Sequence, residues 1–119
     1  MKIERYDIIK GPGRPSICLG MARGDWFSTC CTANNFSLDI TGQTREIFDV
    51  FDRHMAEAGT KISKVLFVQF WLKNMSDYQA VNAVWADWID PKNPPARSCV
   101  RADMAHPNSL IEIRMHAAR

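Results

Sequence analysis

Long apolar runs are missing from this 119-residue chain. No segment approaches the roughly 18 consecutive apolar residues that a membrane-crossing helix needs, so no such helix is predicted. The opening MKIERYDIIK carries charges where a secretory leader needs an apolar stretch, which favours the cytosol. Basic runs are missing as well. Lys and Arg number 15 against 13 Asp and Glu, and the arginines (5, 14, 23, 45, 53, 97, 101, 114 and 119) are dispersed. A surface tracking nucleic-acid phosphates needs a clustered basic stripe, so no nucleic-acid partner is expected. Metal spacing is equally absent. The three histidines, His54, His106 and His116, match no zinc pattern, and the four cysteines lack a CxxC pair. Cys18, Cys30, Cys31 and Cys99 read as reduced thiols, and no metal is expected.

What the chain does have is apolar content, 46% of its residues, enough for one core in a single domain spanning residues 1–119. Residues 3–9 alternate as an opening strand, and KGPGRP breaks it. SICLGMA and DWFSTCCTA are two short apolar runs joined at Arg23-Gly24, a hairpin pattern. NNFSLDITG reads as a loop. A helix is predicted from about Thr41, with Ile47, Phe51, His54, Met55 and Ala58 on its inner face and Gly59 as its stop.

KISKVLFVQFWLKNM is the most apolar stretch. Strand alternation puts Leu66, Val68, Phe70 and Leu72 on one face and Val65, Phe67, Gln69 and Trp71 on the other. A strand apolar on both faces is covered on both. Two helices can cover only one face, so a second copy of the chain is expected on the other. SDYQAVNAVWADWI is a second helix, capped by Ser76 or Asp77, with Tyr78, Val81, Val84, Trp85 and Trp88 inward. Two strands follow, ARSCVRADM and LIEIRMHAA. The order βββαβαββ predicts an α+β domain with helices on one face of a mixed sheet.

Those last two strands carry the chemistry. Alternation groups Ser98, Val100, Ala102 and Met104 on one side of the first, with Arg97, Cys99, Arg101 and Asp103 on the other. In the second, Ile111, Ile113 and Met115 oppose Glu112, Arg114 and His116. A hairpin between them would collect the polar residues on the helix-free face. It would also bring Glu112 near Arg101 as an ordinary cross-strand ion pair. Charges buried on that face need partners, which makes it a candidate pocket at a subunit interface.

Together, PPARSCV (94–100), LIEIRMHAA (110–118), GQTREIFDVFDRHMAEAG (42–59) and MSDYQAVNAVWADW (75–88) resemble the RidA/YjgF family of enamine/imine deaminases. The resemblance implies a chorismate-mutase-like α+β fold with a mixed six-stranded sheet. It also implies a homotrimer whose sheets form a central barrel, with clefts between subunits. On the matching positions, Arg97 is expected to grip a substrate carboxylate, a planar task suited to guanidinium. Glu112 is expected to position the attacking water. Cys99, Ser98 and Asn82 fall in or beside the pocket. Two departures stand out. Ile17 occupies a position usually aromatic in the deaminases, and Cys30-Cys31-Thr32 replaces Ser-Gly-Gln, so Cys31 adds a side chain where glycine allows close backbone approach. Both sites belong with the substrate-binding candidates. Arg101, Arg114 and His116 are expected to line the trimer channel. The implied reaction converts 2-imino or 2-amino-enoic acids to 2-keto acids and ammonia without a cofactor. The rival reading is a non-catalytic trimer that binds small carboxylates.

Overall fold

Eight elements arise from the patterns above: β1 (Ile3–Ile9), β2 (Ile17–Arg23), β3 (Trp26–Thr32), α1 (Ile40–Ala58), β4 (Val65–Leu72), α2 (Tyr78–Trp88), β5 (Ala96–Arg101) and β6 (Ile111–Ala118). They are seen in a computed structural model that describes residues 1–119. The strands form one mixed six-stranded sheet in the order β1-β2-β3-β6-β4-β5. Both helices pack on the same face, where Phe48 of α1 and Trp85 of α2 each meet Phe70 of β4 edge-on. The opposite face carries no helix.

The hairpin between the last two strands does not form. β5 runs parallel to β4 at the sheet edge, and β6 inserts antiparallel between β3 and β4. Two physical causes decide this. Parallel strands need a long crossover, which α2 supplies between β4 and β5. In addition, Ile111, Ile113, Met115 and Ala117 of β6 are all fully buried, a demand that only a central strand meets. β5 is half-exposed throughout, as an edge strand can be, and ends at Arg101 rather than Met104.

The connection 102–110 is therefore a true crossing loop, and a residue of α1 pins it. The buried Gln43 side chain donates to the Leu38 and Asn108 carbonyls and accepts from the Leu110 N–H. All three hydrogen bonds of this buried amide go to backbone, so neither its nitrogen nor its oxygen is left without a partner.

Helix α1 begins at Ile40, one residue before the expected start. Asp39 caps it by accepting from the Gly42 N–H at 2.8 Å, and Gly59 ends it at φ +77°. Neither expected cap serves α2. A single 3-10 turn at residues 75–77 leads straight into that helix, so Asp77 already has helical dihedrals and its side chain cannot fold back. The β4 face assignment also needs correction. A register shift between Val65 and Phe67 puts Val65 inward with Val68, Phe70 and Leu72, and Leu66 is left exposed. One extra residue in the ladder reverses the faces beyond it.

A buried polar chain ties β1 to the helical layer. His54 of α1 is completely buried, with Nδ1 2.8 Å from the Thr29 hydroxyl and Nε2 2.8 Å from the Asp7 carboxylate. Asp7 adopts φ +53°, a left-handed conformation within an unshifted β1–β2 register, and its carboxylate meets Arg53 and His54. The hydrogen bonds from Arg53 chiefly lower the Asp7 carboxyl, burial opposes them, and His54 adds to them; the group falls to about 2. A carboxyl lowered on folding adds stability above its unfolded value of about 4 and loses it as the pH falls toward about 2. Melting temperatures measured from pH 6 down to pH 2 should therefore fall more steeply for the wild type than for Asp7→Asn. Equal slopes would show that the Arg53–Asp7 pair contributes nothing to folding.

Candidate functional site

Arg97 reaches the site by an unexpected route. Its register partner on β4 is Val68, and Cys99 is paired with Phe70, both fully buried beneath the helices. Arg97, Cys99 and Arg101 thus lie on the helix side of the sheet. Ser98 and Val100, aligned with Gln69 and Trp71, lie on the open side. This reverses the faces expected for β5, because the parallel ladder to β4 dictates its phase. The apolar face tolerates the guanidinium because α2 and β4 surround it with aromatic rings. The Arg97 Cζ lies 4.9 Å from the Phe70 ring centre, 5.0 Å from Trp85 and 5.7 Å from Tyr78. Nη2 donates to the Asn82 carbonyl oxygen at 2.5 Å. No carboxylate pairs with Arg97. Instead the side chain lines a recess of about 650 Å³ together with Met75, Ser76, Tyr78, Gln79 and Cys99. A half-buried cation without a counter-ion, at the wall of a recess, is suited to capture a small anion.

Glu112 lies on the opposite face. It aligns with Thr32 on one side and Trp71 on the other, so β4 separates it from β5. The expected Arg101–Glu112 pair does not exist, and Arg101 is an exposed residue on the other side, away from Arg114 and His116. Glu112 borders a smaller recess, about 230 Å³, with Trp71, Ala102, Asp103, Met104 and Ala105. Cys30 shares this face and its thiol donates weakly to Glu112 at 3.9 Å.

The cysteines behave as neutral thiols. Burial, then the Glu112 charge, pushes Cys30 up to about 11; burial pushes Cys31 up to about 12. Burial raises Cys99 too, with Arg97 partly opposing it. A nucleophilic cysteine needs a lowered value, so none of the three is suited to attack a substrate. Cys31 faces the helices beside Ile113, opposite to its neighbour Cys30, as vicinal strand residues must. Ile17 opens β2 opposite Ile9 and is 45% exposed, in the half of the sheet far from β5. Within one chain it is remote from Arg97.

The open face has its own aromatic cluster. His116 stacks on Trp26 at 4.8 Å and near Phe67 at 6.5 Å, and Arg114 lies 5.5 Å from the Trp71 ring. Burial lowers the His116 imidazole, Arg114 lowers it further, and its Nδ1 has no hydrogen-bond partner within the chain. No group of three His, Cys, Asp or Glu side chains converges to hold a metal ion.

Met75 and Gln79 line the recess without having been singled out in the sequence, and Tyr78, read only as an inward-facing residue of the second helix, lines it too. Trp85, read as a core aromatic, brackets the guanidinium as well as packing on the core. The available signal was the helical spacing of Tyr78, Asn82 and Trp85, which shares one face of α2.

Residues 28–119 match the family model described as Endoribonuclease L-PSP, a span that includes Arg97, Glu112 and Asn82. The chain belongs to the YjgF/Rid family. It is 35% identical over 82 residues to a RutC family protein of Haemophilus ducreyi, covering 69% of this chain and 70% of that one. It is also 35% identical over 75 residues to the 3-aminoacrylate deaminase RutC of Acinetobacter baylyi, covering 63% of this chain and 59% of the relative. A crystal structure of an uncharacterised Pseudomonas aeruginosa protein superposes with TM-score 0.88 at 29% identity, over 99% of both chains. A YjgF family member from Neisseria meningitidis gives 0.85 at 26% identity, over 100% of this chain and 96% of that one. The α+β architecture predicted for the family is thus the one this chain adopts, and Ile17 lies outside the span of the family model.

Proposed function

We propose that this protein hydrolyses reactive 2-imino and 2-amino-enoic acids to 2-keto acids and ammonia. The observation that carries the reading is Arg97: a half-buried guanidinium with no counter-ion, facing a recess, within the PARSCV stretch. Similarity to a 3-aminoacrylate deaminase supports the reaction class.

In this reading Arg97 binds the substrate carboxylate through paired N–H donors. A water, positioned by Glu112, adds to the imine carbon; the C–O bond forms as the C=N π electrons move to nitrogen. Proton transfer to nitrogen and loss of ammonia then leave the 2-keto acid. Enamines enter after tautomerising to the imine. Such imines hydrolyse slowly without a catalyst, so orientation and modest acid–base help suffice. No metal or cofactor takes part in these steps.

Arg97 and Glu112 occupy opposite faces of one sheet, so a site using both must be built from neighbouring copies. Half-buried Phe67 and Trp71, with exposed Trp26 and Val100, give the open face the apolar character of an interface. We infer a homotrimer with sites between subunits. Free thiols at Cys18, Cys30, Cys31 and Cys99 suit a reducing compartment such as the cytoplasm.

The test generates imino acids in situ with an amino-acid oxidase and traps them with semicarbazide. Wild type should suppress semicarbazone formation. Arg97→Ala should lose about 100-fold in kcat/KM, the value of a bidentate charge-assisted contact. Unchanged trapping with wild type, for every amino acid tried, would remove the deaminase reading. If 2-keto acids still bound through Arg97, a non-catalytic carboxylate binder would replace it.

A further inference from the structure

We propose that Asn82, helped by Phe70 and Trp85, holds the Arg97 guanidinium in one orientation, making Asn82 a positioning residue rather than a substrate contact. The inference rests on the reading of Arg97 as the carboxylate anchor.

An arginine on an edge strand has four flexible torsions and would ordinarily sweep a wide volume. Here Phe70 and Trp85 approach the guanidinium at 4.9 and 5.0 Å, which restrains its plane. The Asn82 carbonyl oxygen accepts from Nη2, which restrains its rotation within that plane. A guanidinium has five N–H donors, and the other four have no acceptor within the chain, so they remain available to a ligand. Asn82 itself does not line the recess, whereas Arg97 does. Tyr78, Asn82 and Trp85 follow one another at helical spacing on α2, so one rigid helix delivers all of the support except Phe70, which β4 supplies.

The residue type matters. A neutral amide orients the cation and leaves its charge intact. A carboxylate in the same place would orient it equally well and neutralise it, removing the attraction for an anion. This gives two variants with opposite signatures.

The experiment combines side-chain 15N NMR of the arginines, with Arg97 assigned by its absence in Arg97→Ala, and calorimetric titration with 2-oxobutanoate. In the wild type, Arg97 should show separate Nη signals from slowed rotation. Asn82→Ala should merge them and weaken 2-oxobutanoate binding about tenfold while the thermal melt stays cooperative. Asn82→Asp should keep the signals separate and yet weaken binding at least as much. A merely structural asparagine would behave differently, because Asp preserves the acceptor and should restore binding. Unchanged Nη signals in Asn82→Ala, or wild-type affinity in Asn82→Asp, would overturn the proposal. Failure of the underlying reading is separable. Wild type that binds 2-oxobutanoate but leaves imine trapping unchanged refutes the deaminase and leaves the positioning role standing. Wild type that binds no 2-oxo acid refutes the anchor, and with it the role of Asn82 in carboxylate capture.

Discussion

Mixing Arg97→Ala chains with Glu112→Gln chains, each expected to be about 100-fold impaired alone, should restore turnover to about a quarter of wild type after joint refolding. The value follows from the sheet. Arg97 aligns with Val68 on the helix side, and Glu112 aligns with Trp71 on the open side, with β4 between their strands. No side-chain rotation brings the two together around one substrate in a single chain. In a closed ring each site would take Arg97 from one copy and Glu112 from the next. Random assembly pairs an intact Arg97 with an intact Glu112 at one site in four, hence the expected recovery. Alone, Glu112→Gln should lose about 100-fold in kcat, the contribution of a positioned acid–base group, with carboxylate binding kept. Native mass spectrometry would confirm that mixed oligomers form. Mixed oligomers without activity would place both residues in one copy's site. Full activity of Glu112→Gln would remove Glu112 from the chemistry and leave Arg97 as the residue that carries the reading.

Replacing His54 by Leu should cost about 3 kcal/mol and lower the melting temperature by roughly 10 °C. His54 is completely buried, and both ring nitrogens are engaged at 2.8 Å, one by Thr29 and one by Asp7. Leucine fits the apolar surroundings but leaves the Thr29 hydroxyl, only 1% exposed, without a partner. It also removes one hydrogen bond from a carboxylate held at φ +53°. Packing around the ring is tight: a Cβ placed on Gly20 would lie 2.8 Å from Nδ1. Gly20→Ala should therefore destabilise in the same direction, through the same ring. A melting temperature within about 2 °C of wild type for His54→Leu would show that the hydrogen bonds add little beyond the imidazole's volume. The deaminase reading predicts unchanged turnover per folded site, because His54 belongs to the β1–α1 side of the molecule and Arg97 to the opposite sheet edge.

Much of the architecture is local and therefore legible. The 3.6-residue spacing of Ile47, Phe51, His54 and Ala58 identifies α1 and its buried face, and Gly59 ends it as expected. The alternation of Ile111, Ile113 and Met115 likewise identifies β6 and the side it buries. Vicinal Cys30 and Cys31 had to face opposite ways. These features depend on neighbours a few residues apart, which a sequence displays directly.

Which strands become neighbours depends on contacts far apart in the chain. The sequence alone determined the eight elements, their order and the residue set from which a site can be drawn: Arg97, Cys99, Asn82 and Glu112. It placed the last two strands side by side because they are consecutive and joined by a loop. The tertiary structure decided otherwise, because burying the whole apolar face of β6 needs strands on both sides, and only β3 and β4 supply them. That choice sent β5 to the edge, set its phase from β4 and turned Arg97 toward α2. The aromatic bracket of Phe70 and Trp85 and the hydrogen bond to Asn82 exist only because of that pairing. Alternation identifies which residues share a side of one strand; the hydrogen-bonded register with the neighbouring strand decides which side of the sheet it is.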